Sequence, residues 1–303
     1  MDALQQPEQQ LITVRDWLRY AVSRFNTAQL AYGHGTSNAR DEAAFLILYT
    51  LKLPIDQLDP WLDARLLMDE RTALRTIIEK RISTRKPAPY LTNEAWAGGH
   101  SFYVDERVIV PRSYIAELMA QGLSDILPET ADATRILDLC TGSGCLAILA
   151  ALAFPDAAVD AAELSPDALK VAERNVADYG LEDRVQLVRS DLFAGLGKTR
   201  YDLIISNPPY VTAESLAAFP PEYAAEPAMA HAGGEDGMDI VRRILAGASA
   251  RLTEDGTLLM EVGMGRAVLD TVYPDLPYLW LDTEESEGEV FALRAADLAG
   301  LQT

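Results

Sequence analysis

The ten residues Asp138-Leu-Cys-Thr-Gly-Ser-Gly-Cys-Leu-Ala147 constrain the fold more than any other part of this 303-residue chain. An apolar run at residues 135–139 leads into them, and an apolar run of helical length, Cys145 to Phe154, leads out. The spacing Gly142-x-Gly144-x-x-Ala147 matches the strand–turn–helix fingerprint of nucleotide-binding α/β domains. Glycines there permit a tight turn and a close approach of the backbone to a ligand. The alternation continues downstream. The pattern predicts strands at residues 159–164, 185–188, 203–206 and 257–262, and a helix over 166–179. Strands alternating with helices imply an α/β domain with a doubly wound, mainly parallel sheet covered on both faces. Residues 213–239, rich in Pro, Ala, Glu and Gly, read as a long irregular insertion after the strand at 203–206. Loops of that length in compact domains are more often functional than not.

Upstream the period changes. Apolar residues recur at helical spacing in Leu11-Val14-Leu18, in Ala43-Ala44-Ile47-Leu48-Leu51 and in Leu74-Ile77-Ile78. These predict a small helical domain over residues 1–90, read as a docking element for a substrate. Residues 91–112 read as a β-hairpin linker, alternating from Ser101 to Val110 around Asp105-Glu106, and residues 113–303 as the catalytic domain. Within the helical part, Arg71, Arg75, Lys80, Arg81, Arg85 and Lys86 stand against one acid, Glu79. Such a run reads either as a solvated helix face or as a surface for RNA or an acidic partner.

Charge is divided unevenly. Residues 1–112 hold 14 acidic and 14 basic side chains, whereas residues 113–303 hold 32 and 12, so the second part carries the whole net charge of −20. A domain so charged repels a phosphate backbone and attracts a basic partner; solubility alone is the blander account. The longest apolar run is too short to span a bilayer. The opening Met-Asp-Ala-Leu-Gln-Gln lacks the basic start and apolar stretch of a secretory leader. Two cysteines, Cys140 and Cys145, without a CxxC spacing or a histidine cluster, argue against a zinc site or a disulfide framework. They fit a reducing cytoplasm.

The strand ends carry the chemistry. Glu163 closes the strand at 159–164, where a carboxylate can accept hydrogen bonds from both ribose hydroxyls. Asp191 follows the strand at 185–188, in position to take the exocyclic amine of an adenine. Each acid alone reads equally well as a helix cap or a solvated loop end. Together with the glycine turn they point to a nucleoside cofactor, because open parallel sheets bind ligands along their carboxyl edge. NAD and S-adenosylmethionine both satisfy this set. Asn207-Pro208-Pro209-Tyr210 separates them. Two prolines stop the strand and hold the loop rigid. The Asn207 side-chain oxygen and the Pro208 carbonyl can each accept one N–H of a planar NH₂ group. That aims its otherwise delocalised lone pair along an S–CH₃ axis. Tyr210 offers an aromatic face to the same group. A proline-rich turn capped by Asn is the alternative. His34, His100 and His231 read as structural or solvated, and no general base is assigned.

The strand-Asn-Pro-Pro-Tyr segment resembles the S-adenosyl-L-methionine-dependent methyltransferases that modify glutamine side-chain nitrogen in proteins of the translation apparatus. It is also similar to methylases of the adenine amine in nucleic acid. The charge of residues 113–303 and the lack of a basic stripe near Asn207 speak against the latter. Within the glutamine family, three segments are most similar to the branch acting on the large-subunit ribosomal protein L-three. They are Tyr90-Leu-Thr-Asn-Glu-Ala-Trp96, His100-Ser-Phe-Tyr-Val-Asp-Glu-Arg107 and Val110-Pro-Arg112-Ser113. The release-factor branch carries Pro, then acidic and Thr positions, where Ser113-Tyr114-Ile115 stand here. Glu226-Pro227 and Gly233-Gly-Glu-Asp-Gly-Met-Asp239 resemble the family's later loop, and the likeness runs on to a closing strand near residues 289–293. It implies a class I, Rossmann-like methyltransferase domain. Cys140, Thr141, Gly142, Ser143 and Gly144 would hold the methionine part of the cofactor, Glu163 the ribose, and Asp191 with Leu192 the adenine. Asn207, Pro208, Pro209 and Tyr210 would grip the glutamine, with Asn207 bordering the cofactor as well. A basic ribosomal protein is the implied partner, with the run from Arg71 to Lys86 as a candidate RNA contact. Two departures stand out: Cys140 replaces a Gly common among relatives, and Ala97-Gly98-Gly99 replaces bulkier residues beside Trp96. From another class, a non-catalytic assembly factor that binds the cofactor and a partner is the competing reading.

Overall fold

The computed structural model describes residues 7–301; residues 1–6, read above as no secretory leader, lie outside them. The chain forms two units. One comprises the residues up to Glu94 together with Pro220–Ala225, the other Ala95–Phe219 and Glu226–Thr303. Among the described residues no helix is long and apolar enough to cross a membrane.

Helices Val14–Thr27, Ala39–Leu51 and Met68–Thr84 build the first unit, with shorter turns at Pro7–Gln10 and Ala88–Thr92. The first long helix starts at a capping box: the Thr13 hydroxyl accepts the Asp16 amide, and the Asp16 carboxylate accepts the Thr13 amide. Trp17, Phe25, Leu46, Ile47, Leu74 and Ile78 fill the core at helical spacing. Much of the basic run makes contacts inside the unit. Arg81 is wholly buried, its Nε donating to Glu42 Oε1 at 2.7 Å. Arg71 donates to the Leu66 and Glu8 carbonyls, Arg75 to Glu8 and Glu79, and Arg85 to the Ala28 and Gln29 carbonyls. Four of the six cations therefore serve the unit internally, because helical spacing brings their long side chains to carbonyls and carboxylates of the same unit. Pro220–Ala225 brings in Glu222, fully buried, which accepts the Ala31 amide at 3.0 Å and pairs with Arg85 at 2.7 Å.

The second unit opens with a hairpin, β1 (Glu94–Ala97) and β2 (His100–Tyr103). It reverses at Gly98-Gly99 and not, as the alternation suggests, at Asp105-Glu106. Both glycines have positive φ, 56° and 79°, which a two-residue hairpin turn requires. A Cβ on Gly98 would also stand 3.2 Å from the Ala116 carbonyl oxygen and from Leu149 Cδ1, so a bulkier residue there would crowd both. Asp105 instead closes a separate turn, accepting the Arg107 amide and guanidinium. The Arg107 guanidinium lowers its carboxyl to about 2.

Seven further strands form one sheet: β3 (Arg135–Leu139), β4 (Ala158–Glu163), β5 (Val185–Arg189), β6 (Tyr201–Ser206), β7 (Leu252–Glu261), β8 (Leu279–Leu281) and β9 (Val290–Arg294). Their order is β5-β4-β3-β6-β7-β9-β8. The first five are parallel, β9 is antiparallel to β7, and β8 to β9. The doubly wound α/β class holds; β8, three residues long, has no counterpart in the sequence reading. Two cores cover the two faces. Along β6, Leu203 and Ile205 pack with helix Cys145–Ala153, whereas Ile204 packs with helix Asp239–Ala248. Strand order reverses between β3 and β6, which opens a crevice at their carboxyl ends.

Candidate active site

Leaving β3, the chain turns through Cys140, Gly142 and Gly144 at φ 61°, 56° and 80°. A left-handed backbone costs an L-residue roughly 1–2 kcal/mol, which Cys140 incurs and the two glycines do not. Asp138 is buried beneath the turn, where the Thr141 hydroxyl donates to it. Burial pushes its carboxyl up to about 7. Asn175, on helix Pro166–Asp178, fastens the turn from outside. Its amide donates to the Ser143 carbonyl at 2.8 Å and the Tyr103 carbonyl at 3.0 Å, and its oxygen accepts the Tyr103 amide. A Cβ on Gly142 would meet only the Cys140 oxygen, 4.0 Å away, so the space beside this residue is open. Glu163, ending β4, faces the same turn: Oε2 accepts the Gly142 amide at 3.0 Å and Oε1 the Ser165 amide at 2.9 Å. Asp191, just past β5, is half-exposed and paired with Arg243 at 2.8 Å. Leu192 beside it is buried with φ 49°. An open glycine face flanked by an oriented carboxylate fits a nucleoside cofactor.

β6 leads into the Asn207-Pro208-Pro209-Tyr210 loop. The Ser206 hydroxyl donates to the Leu139 carbonyl at 2.9 Å, tying the carboxyl ends of β6 and β3 together. Asn207 then leaves the sheet, half-buried, and Pro208 and Pro209 offer no N–H to continue it. The chain is caught again at Val211, whose amide donates to the His231 carbonyl and whose carbonyl accepts the Gly233 amide. Tyr210 is tightly held. Its hydroxyl donates to Glu261 Oε1 at 2.8 Å, and a Cβ on Gly263 would lie 2.6 Å from its ring. Gly233 and Gly237 pack so closely on its backbone that neither could carry a side chain.

Glu261 ends β7 and is buried. Its other oxygen accepts the Ser113 hydroxyl at 2.7 Å and the Tyr114 amide at 2.9 Å. Burial raises its carboxyl above the usual range; burial and the neighbouring Glu261 raise the Tyr210 phenol. A second buried carboxylate, Glu226, accepts both Arg112 Nη atoms at 2.7 and 2.8 Å and the Val110 amide at 2.9 Å. His231 Nε2 lies 2.9 Å from it. Burial pushes the Cys140 and Cys145 thiols up, so neither is a ready nucleophile.

The residues singled out from the sequence thus gather along adjacent carboxyl ends: Asp191 and Leu192 after β5, Glu163 on β4, Cys140 to Gly144 after β3, Asn207 to Tyr210 after β6. Glu261, Ser113 and Asn175 were not singled out for this site. The one local sign of Glu261 is a lone acid closing the apolar run Leu258-Leu-Met-Glu261. Arg112 and Glu226 were noticed separately, but nothing in the sequence pairs them.

Residues 117–219 match the family model described as methyltransferase small domain. A ribosomal protein uL3 glutamine methyltransferase of Bordetella pertussis is 54% identical over 290 residues, covering 96% of this chain and 97% of its own length. Proteins of the same name from Bradyrhizobium diazoefficiens and Neisseria gonorrhoeae are also 54% identical, each over 295 residues. They cover 95% and 97% of this chain and 92% and 98% of their own. With half the residues shared over nearly the full length of both partners, the chain belongs to the ribosomal protein uL3 glutamine methyltransferase family.

Proposed function

We propose that this chain transfers a methyl group from S-adenosyl-L-methionine to the side-chain amide nitrogen of a glutamine in ribosomal protein uL3, in the cytoplasm. The observation that carries the reading is the Ser206–Leu139 hydrogen bond, which holds the start of the Asn207–Pro208–Pro209–Tyr210 loop against the glycine turn. When bound, S-adenosyl-L-methionine supplies an electrophilic methyl on a sulfonium. The backbone from Cys140 to Gly144 would border its methionine part, Glu163 would take the ribose hydroxyls, and Asp191 with Leu192 would flank the adenine.

Asn207 Oδ1 and the Pro208 carbonyl oxygen accept the two N–H bonds of the glutamine amide. An amide nitrogen is a poor nucleophile because its lone pair is delocalised, so orientation matters more than basicity. The two acceptors aim that lone pair at the methyl carbon and stabilise the positive charge that grows on nitrogen. In the transfer the N–C bond would form as the donor's C–S bond breaks, and the surplus proton would leave the nitrogen for water. Positioning and fixed dipoles supply the acceleration, with no covalent enzyme intermediate. A basic ribosomal protein suits the 32 acidic against 12 basic residues of positions 113–303.

Incubation with a labelled methyl donor, with uL3 and a release factor offered side by side, tests the acceptor. Mass spectrometry should find the label on a glutamine of uL3; label on the release factor alone, or on RNA, would overturn the assignment. For the site, Asn207→Ala should lower turnover by about 3 kcal/mol, roughly a hundredfold, while calorimetry finds cofactor affinity nearly unchanged. Lost cofactor binding with turnover per bound complex intact would refute the role given to Asn207.

A further inference from the structure

The loop that begins at Asn207 is held at two points by buried carboxylates, and both carboxylates grip the same short segment, residues 110–114. At the near end Glu261 binds Tyr210 on one oxygen and Ser113 and Tyr114 on the other. At the far end Glu226 binds Val110 and Arg112. The two differ in chemistry. Glu226 has a guanidinium in bidentate contact, the usual way to keep a buried carboxylate. The hydrogen-bond partners of Glu261 are three neutral donors; burial raises its carboxyl, and the neighbouring acid Glu289 adds to the rise.

A carboxylate buried among neutral donors is costly, but it accepts on both oxygens and so can hold Tyr210 on one and Ser113 with Tyr114 on the other. We propose that Glu261 is a positioning residue for the acceptor, acting through Tyr210. This inference rests on the reading of Asn207 to Tyr210 as the acceptor site. The Glu261 oxygen fixes the phenol hydroxyl, while Gly263 fixes one edge of the ring. With tip and edge both held, the ring plane is set before the acceptor arrives. The acceptor amide then meets a prepared aromatic face beside Asn207, and no ring rotation has to be frozen on binding. Gly263 follows Glu261 by two residues, so one strand end supplies both constraints.

The test compares Tyr210→Phe, Glu261→Gln and the double variant, with uL3 as acceptor. Each single change should lower kcat/KM for the acceptor about tenfold, the worth of one well-placed hydrogen bond. The double variant should be no worse than the poorer single one, and the cofactor Kd should stay within about twofold. A double variant whose loss equals the product of the two single losses would overturn the proposal, and so would unchanged kinetics in Tyr210→Phe. Should Glu261→Gln fail to fold, Tyr210→Phe with Ser113→Ala decides by the same rule, since Ser113 shares the carboxylate. Asn207→Ala in the same assay keeps the two failures apart. Turnover intact in Asn207→Ala removes the acceptor-site reading. Turnover lost there but intact in Tyr210→Phe removes only the role of Glu261.

Discussion

Gly142 and Gly144 share a left-handed backbone for different reasons, and substitution separates them. At Gly144 a Cβ would stand 3.2 Å from the Ala172 Cβ and 3.4 Å from its Cα, on helix Pro166–Asp178. At Gly142 it would project into open space over the turn. Both alanine variants incur the backbone strain of roughly 1–2 kcal/mol, and Gly144→Ala adds the clash. Gly144→Ala should therefore shift the denaturation midpoint further, whereas Gly142→Ala should weaken cofactor binding more per unit of lost stability. The opposite ranking would contradict the assignment. Asp138 makes a prediction in pH. Its carboxyl is raised from 3.8 to about 7 by burial, so folding favours the neutral form. That stabilisation is complete below the unfolded value and is lost as pH climbs through the folded one. Asp138→Asn, which keeps the shape without the charge, should gain stability relative to the parent between about pH 5 and about pH 8. Over that window its ceiling is about 3 kcal/mol, at 1.36 kcal/mol per unit from pH 5 to the folded value. Equal melting temperatures of variant and parent at both pH values would show that Asp138 carries no such penalty.

At the scale of elements, helix Met68–Thr84 places Arg81 inside the first unit, where it pairs with Glu42 at 2.7 Å and lies 3.8 Å from Glu222. Burial raises the Glu42 carboxyl even with the guanidinium alongside. Arg81→Met leaves Glu42 buried and unpaired and should cost about 3–5 kcal/mol in chemical denaturation. Adding Glu42→Leu should restore most of the loss, because Glu222 keeps Arg85 and the Ala31 amide. No recovery in the double variant would mean that Arg81 acts mainly through other groups. The same helix shows where reading by element stops. Its charges are plain in the sequence, but which side of a helix faces inward depends on what packs against it. In a run that reads either as a solvated face or as a surface for RNA, four of the six cations hold helices, carbonyls and a returning loop together. The hairpin teaches the converse lesson. Gly98-Gly99 is the stronger turn signal, and alternation around Asp105-Glu106 outweighed it only because strand-like alternation continues past the true end of β2.

At the scale of the whole molecule, residues 113–303 carry the entire net charge of −20. Association with a basic protein acceptor should be steered by that field. Stopped-flow mixing should show the association rate falling more than about tenfold between low and high salt. A flat response would leave solubility as the account of the charge. The sequence by itself determined the α/β class, the glycine turn, and the stop at Asn207-Pro208-Pro209-Tyr210. Each is written in periods and turn residues that act over a few positions. It also picked out acids at successive strand ends, because parallel strands all end on the same edge. Only the tertiary structure decided which polar groups meet. Tyr210 and Glu261 are 51 residues apart, Arg112 and Glu226 114, and Ser113 and Glu261 148. Contacts at such separations follow from strand order and register, which place β7 beside β6 and bring the segment before helix Tyr114–Ala120 to its tip. No local pattern encodes that neighbourhood, so the loop was legible in the sequence and its buried supports were not.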